Sequence, residues 1–191
     1  MDIKLINLAK QFDQKVIFKD LNVTFLEGKM NCLMGASGIG KTTVINILMG
    51  LVEPDSGEVR GGQGKRVAAV FQEDRLIEHW NATQNVKLVC DKTISVDIIE
   101  QELLKVGLED HQDKSVKNFS GGMRRRVAIV RAMLAKSDLI ILDEPFKGLD
   151  ETLKNQVIEY VKLRAKGKTV IVVTHDKEEV QLLEANLITL Q

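Results

Sequence analysis

The chain has 191 residues, 44% hydrophobic and 28% charged, enough apolar material for one well-buried domain with a sub-lobe. Its formal net charge of zero lacks the basic excess of a nucleic-acid binder, so no nucleic-acid partner is expected. The two cysteines, Cys32 and Cys90, match no metal-ligand spacing and point weakly to a reducing compartment.

The first third reads as strands and turns. "DIKLINL" and "DLNVTFLEG" alternate in part, and "KMNCLMG" is a short buried run ending at Gly35. A helix is predicted over "KTTVINILMGLVEPDSG", stopping before Pro54. The turn "RGGQGKR" leads into "VAAVFQ", a buried strand ending at Gln72. From residue 73 to about 134 the pattern turns helical, with "VDIIEQELLKVGL" and "GMRRRVAIVRAML". After that, "DLIILDEP", "ETLKNQVIEYVKLRAKG", "KTVIVVTHD" and "KEEVQLLEA" alternate strand and helix. That alternation predicts an α/β fold with a parallel sheet and crossover helices. Apolar runs such as "LIIL" and "VIVV" are far too short to span a bilayer. The N-terminal "MDIKLINLAK" lacks a basic region followed by an apolar stretch, so no secretion signal is expected.

Within the first third, "GASGIGKT" matches G-x-x-x-x-G-K-[ST], with a strand before it and a helix after it. Glycines let backbone N–H groups of Gly35, Ala36, Ser37, Gly38, Ile39, Gly40, Lys41, Thr42 and Thr43 curl around phosphate oxygens. The helix N-terminus that follows adds positive potential. Lys41 would reach the β- and γ-phosphates, and the Thr42 hydroxyl would bind Mg²⁺. The loop alone does not separate ATP from GTP. A second acid for Mg²⁺ is expected at a neighbouring strand end, and Asp143 ends "LIILD". Glu144 follows it and would polarise an attacking water; the blander reading is a turn cap. His175 ends "TVIVVTH", where it would donate to the γ-phosphate or orient Glu144. Gln72, at the end of its run, would bind water or Mg²⁺.

"FSGGM" is a second glycine turn, with Ser120 as N-cap and Gly121 and Gly122 opening a helix. Such a turn is a second anion site, and one nucleotide cannot readily fill two sites so far apart in the chain. Two copies meeting head to tail would resolve this, each turn serving the other copy's nucleotide.

The ordered set of "GASGIGKT", Gln72, "FSGGM", "LIILDE", "GLD" (residues 148–150) and His175 resembles the nucleotide-binding subunits of ABC (ATP-binding cassette) transporters over nearly the whole chain. The resemblance implies a P-loop NTPase fold: a RecA-like parallel-sheet core, an N-terminal antiparallel β part and an inserted α-helical subdomain. It implies one domain, 1–191, with 1–72 and 135–191 as catalytic core and 73–134 as the helical subdomain. It further implies a Mg-dependent ATPase with ATP sandwiched in a dimer, Glu144 as general base, His175 as switch, and Asp150 as a contact across the dimer. Phe12 stands where the family places an aromatic against adenine, usually Tyr. Partners implied are integral membrane permease subunits and, for an importer, an extracytoplasmic solute-binding protein. The place implied is peripheral, on the inner face of the cell membrane. "FQEDRLIEHWNATQNV", "DEPF" and "SGGMRRRVAIVRAM" are similar to the nitrate, sulfonate and taurine importers. Trp80 falls where a membrane subunit would dock.

The chain departs from the family pattern in three places. The stretch between Gly57 and Gln72 is short, and the chain ends soon after His175, as expected of a minimal cassette without a C-terminal regulatory domain. Lys147 stands where a small residue is usual. The solute, and import against export, are not legible. Rival readings are a cytosolic ABC ATPase acting on DNA or the ribosome, a membrane-linked regulator of cell-wall enzymes or signalling, and a nucleotide-binding regulator without turnover.

Overall fold

A computed structural model of the chain describes residues 1–109 and 114–190; residues 110–113, inside the expected helical subdomain, and Gln191 lie outside the described residues. Five parallel strands form the central sheet: β3 (Met30–Met34), β5 (Val67–Val70), β6 (Leu139–Asp143), β7 (Thr169–Val173) and β8 (Asn186–Thr189). Their spatial order is β5-β6-β7-β3-β8. β1 (Ile3–Phe12), β2 (Lys15–Phe25) and β4 (Ser56–Arg60) make a separate antiparallel sheet, order β2-β1-β4.

The central strands β3, β6 and β7 are buried on both faces, as their continuous apolar runs require. Side chains alternate between two cores with the strand period of two. Ile140, Leu142, Val170, Val172 and Cys32 face one way, toward α4 (Gly121–Leu134) and α5 (Glu151–Arg164). Leu139, Ile141, Ile171, Val173 and Leu33 face the other, toward α1 (Lys41–Leu48) and the antiparallel sheet. α2 (Ala82–Lys87) and α3 (Val96–Leu104) precede α4 and pack into the first core through Val86, Ile99 and Leu103. Each start is capped by sequence: Asn81 and Gln84 form a reciprocal capping box, and the Ser95 and Ser120 side chains accept from Ile98 and Met123 N–H. α6 (Lys177–Leu182) follows β7.

Some boundaries differ from expectation. α1 stops at Leu48, not before Pro54, because Gly50 takes a left-handed turn (φ +69°) and Leu51 N–H bonds back to the Asn46 carbonyl. β5 and β7 end at Val70 and Val173, so Gln72 and His175 ride on the loops beyond them rather than on strand ends. β4 and β8 lie outside the strands expected from the sequence. Both are short and largely exposed edge strands, where apolar patterning is weakest.

Candidate functional site

The glycine loop lies between β3 and α1. Its last glycine, Gly40, has φ +108° and serves as N-cap of α1. A Cβ there would lie 2.6 Å from Ile17 Cγ2, so both the backbone angle and the close approach of β2 require glycine. Lys41, the first helical residue, turns its ammonium over the loop and donates to the Gly35 and Ala36 carbonyls at 2.6 and 2.9 Å. Ser37, Gly38, Gly40, Lys41, Thr42 and Thr43 line a cavity of about 190 Å³. Gln72, Asp143, Glu144, Ile17 and Val173 close it. Neighbouring parallel strands end side by side, so residues more than a hundred positions apart in sequence converge at one carboxyl edge.

The two acids sit in different environments. Asp143 is 3% exposed, and burial, with the charge of Glu144 beside it, pushes its carboxyl above the ordinary range. Its Oδ1 is buried without a hydrogen-bond partner. Glu144 adopts a left-handed backbone (φ +48°) and its N–H bonds to the Val173 carbonyl at 2.9 Å. Lys147 Nζ donates to Glu144 Oε2 at 2.8 Å, which holds that carboxyl below its ordinary value against the opposing effect of burial. His175 Nδ1 stands 3.6 Å from the other oxygen, Oε1. The turn carrying His175 is fixed from below: the Thr174 hydroxyl donates to buried Glu179 and accepts from Asp176 N–H.

The second glycine turn opens on a different cavity of about 680 Å³, lined by Ser120, Gly121 and Gly122 with Lys147, Gly148 and Asp150. Gln72 lines both cavities. Asp150 also caps α5, accepting from Leu153 N–H at 3.0 Å. Phe12 is not among the residues lining the loop cavity. It sits exposed at the end of β1 with Lys10 Nζ 5.1 Å from its ring centroid.

Three residues matter more than their sequence context announced. Ile17 walls the loop cavity; the broken alternation of β2 hid which of its residues point inward. Lys147 pairs with Glu144. Arg125 is buried and donates to the Phe71 and Gln72 carbonyls, with Nε 3.1 Å from Asp74 Oδ1. It thereby ties the helix of the second glycine turn to the Gln72 loop. Arg126 donates to the Val106 and Gly107 carbonyls at 2.8 and 2.7 Å.

The family model for ABC transporters matches residues 18–147, well over half of the chain. The chain belongs to the ABC transporter family. Similar proteins include the spermidine/putrescine import ATP-binding proteins PotA of Spiroplasma citri (37% identical over 98% of this chain and 58% of the relative) and of Fusobacterium nucleatum (36%, over 93% and 52%). The taurine import ATP-binding protein TauB of Escherichia coli O157:H7 is 33% identical over 98% of this chain and 79% of its own length. The likeness to taurine cassettes is thus borne out, and the spermidine/putrescine proteins share it. The chain spans little more than half the length of the PotA proteins it matches. A dimeric structure of MJ0796, a bacterial ABC transporter cassette, superposes with a TM-score of 0.84 at 28% identity, over 98% of this chain and 94% of that one. A dimeric post-hydrolysis structure of MJ0796 bound to ADP and Pi gives 0.84 at 27% identity, over 99% and 94%. The P-loop NTPase fold expected of the family is therefore the fold of this chain. No helix among the described residues is long and apolar enough to cross a membrane.

Proposed function

We propose that the chain is the ATP-binding and ATP-hydrolysing part of a solute importer, working as a head-to-tail pair against separate membrane permease subunits at the inner face of the membrane. The observation that carries this is one cavity that gathers Lys41, Thr42, Gln72, Asp143 and Glu144. A second glycine turn opens on another cavity. The import roles in the names of PotA and TauB, and the dimeric MJ0796 cassettes, support the reading.

In this reading residues 1–72 and 135–191 form the catalytic core and 73–134 the helical subdomain. The N–H groups of residues 35–43 and the Lys41 ammonium hold the β- and γ-phosphates. Phe12 stacks on adenine. The donors fit Mg²⁺: Asp143 offers a buried oxygen without a partner, and Thr42 and Gln72 add oxygen donors in the same cavity. One carboxylate plus neutral oxygens suits a cation that completes its shell with phosphates and water. When bound, it would neutralise charge on the phosphates. Glu144 accepts a proton from the water that attacks the γ-phosphorus, and the bond to the bridging oxygen breaks, releasing ADP and phosphate. His175 stands beside Glu144 as the switch. Ser120, Gly121, Gly122 and Asp150 of one copy face the nucleotide of the other, and an extracytoplasmic solute-binding protein would select the cargo.

The test is ATP hydrolysis by the full chain with Mg²⁺ and with EDTA, beside Lys41→Ala. The wild type should turn over ATP only with Mg²⁺, and Lys41→Ala should lose nucleotide affinity. A wild-type chain that binds no nucleotide would overturn the reading.

A further inference from the structure

Glu144 must present a carboxylate to water, yet its backbone alone does not aim it. The left-handed φ and the N–H bond to Val173 fix the main chain, while the side chain keeps its own torsions. Asp143 next to it repels it, since each carboxylate disfavours ionisation of the other, and incoming phosphates would add to that repulsion. Lys147 answers this. It follows Glu144 by three residues in a turn closed by the Lys147 N–H to Glu144 carbonyl bond at 3.4 Å. Between them Phe146 is buried at 2% exposure and pins the turn to the core. The ammonium meets Oε2 at 2.8 Å, and Oε1 is left toward His175. An ionised carboxylate has about four acceptor sites, so one bond from Lys147 orients it and leaves capacity for water.

We propose that Lys147 is a positioning residue for Glu144, holding one carboxylate oxygen so that the other faces the reacting water. This rests on the ATPase reading above. The side chain of Lys147 is 68% exposed, so the pair adds little to folding stability; its effect is on aim. Lys147 also lines the cavity of the second glycine turn, so the contact lies where a second copy would close.

The experiment measures steady-state ATP hydrolysis, nucleotide affinity and melting temperature for wild type, Lys147→Met and Lys147→Arg, with Glu144→Gln as reference. Lys147→Met should lower kcat about tenfold, the low end of what one lost charge-assisted hydrogen bond is worth because the ammonium is largely exposed, with nucleotide affinity and melting temperature unchanged. Lys147→Arg should restore most of the rate. Turnover by Lys147→Met at or above the wild-type rate would overturn the proposal. So would a loss shared equally by Lys147→Arg, or one that follows lowered affinity or melting temperature. No hydrolysis by the wild-type chain would instead overturn the ATPase reading, and the proposal with it.

Discussion

Replacing Arg125 by Met removes the cation that ties α4 to the Gln72 loop while keeping most of the buried volume. Two charge-assisted hydrogen bonds are lost, to the Phe71 and Gln72 carbonyls, each worth about 1.5–3 kcal/mol. The sum overstates the cost, because those two carbonyls belong to residues that are not fully buried and can take up water. Against that, Asp74 loses the guanidinium 3.1 Å away while its own side chain stays 12% exposed. Leaving a partly buried charge unpaired costs up to about 3–5 kcal/mol, so the net expectation is about 3 kcal/mol. For a chain of this size that lowers the melting temperature by roughly 6–12 °C. The pH dependence has a definite sign. Burial pushes the Asp74 carboxyl up, and Arg125, Arg124 and Arg131 offset this only in part. A carboxyl raised in the native state favours folding fully below its unfolded pKa, and that contribution is lost as pH rises through the native pKa. Arg125→Met raises Asp74 further, so its penalty should be largest near neutral pH and shrink in acid. Asp74→Asn in the same chain should recover part of the loss. Urea unfolding across pH measures all of this. A penalty under about 0.5 kcal/mol, or one that grows as pH falls, would show that Arg125 does not hold Asp74 and the Gln72 loop in this way.

Gly40→Ala places a methyl group 2.6 Å from Ile17 Cγ2 at φ +108°. It should cost about 1–2 kcal/mol of stability from the backbone angle and at least tenfold in nucleotide affinity; calorimetric titration with ATP checks it, and wild-type affinity would count against the loop's role. Phe12→Ala should weaken ATP binding by about two- to tenfold, the range of one stacking contact, while Phe12→Tyr should bind as well as wild type. Equal binding by Phe12→Ala would remove Phe12 from the site.

The parts of the fold legible in the sequence were those whose physics is local. The β6 and β7 runs, LIILD and TVIVV, are buried at every position, and only a sheet covered on both faces asks for that. The glycine loop is legible because phosphate binding demands glycines and a lysine at fixed offsets. The short edge strands β4 and β8 carry few apolar residues and take their conformation from their neighbours. Gln72 reads as a strand end because Phe71 carries the apolar run one residue past β5, and His175 because the β-branched Thr174 follows Val173 without a break in the strand pattern. The Arg125 contact with the Phe71 carbonyl joins residues 54 apart in sequence, and no periodicity encodes such a pairing. The Lys147–Glu144 pair is local, yet a lysine in an exposed turn reads as a solvated charge until the acid beside it is known to face a cavity.

In the proposed function two copies close head to tail on ATP, each supplying its second glycine turn to the other. Sedimentation of the Glu144→Gln chain, in which hydrolysis should be blocked if Glu144 is the base, with ATP, with ADP and without nucleotide tests this closure. A dimer is expected with ATP alone, and loss of that dimer when Ser120→Arg is added although ATP still binds. A Glu144→Gln chain that binds ATP and stays monomeric at every concentration would contradict it.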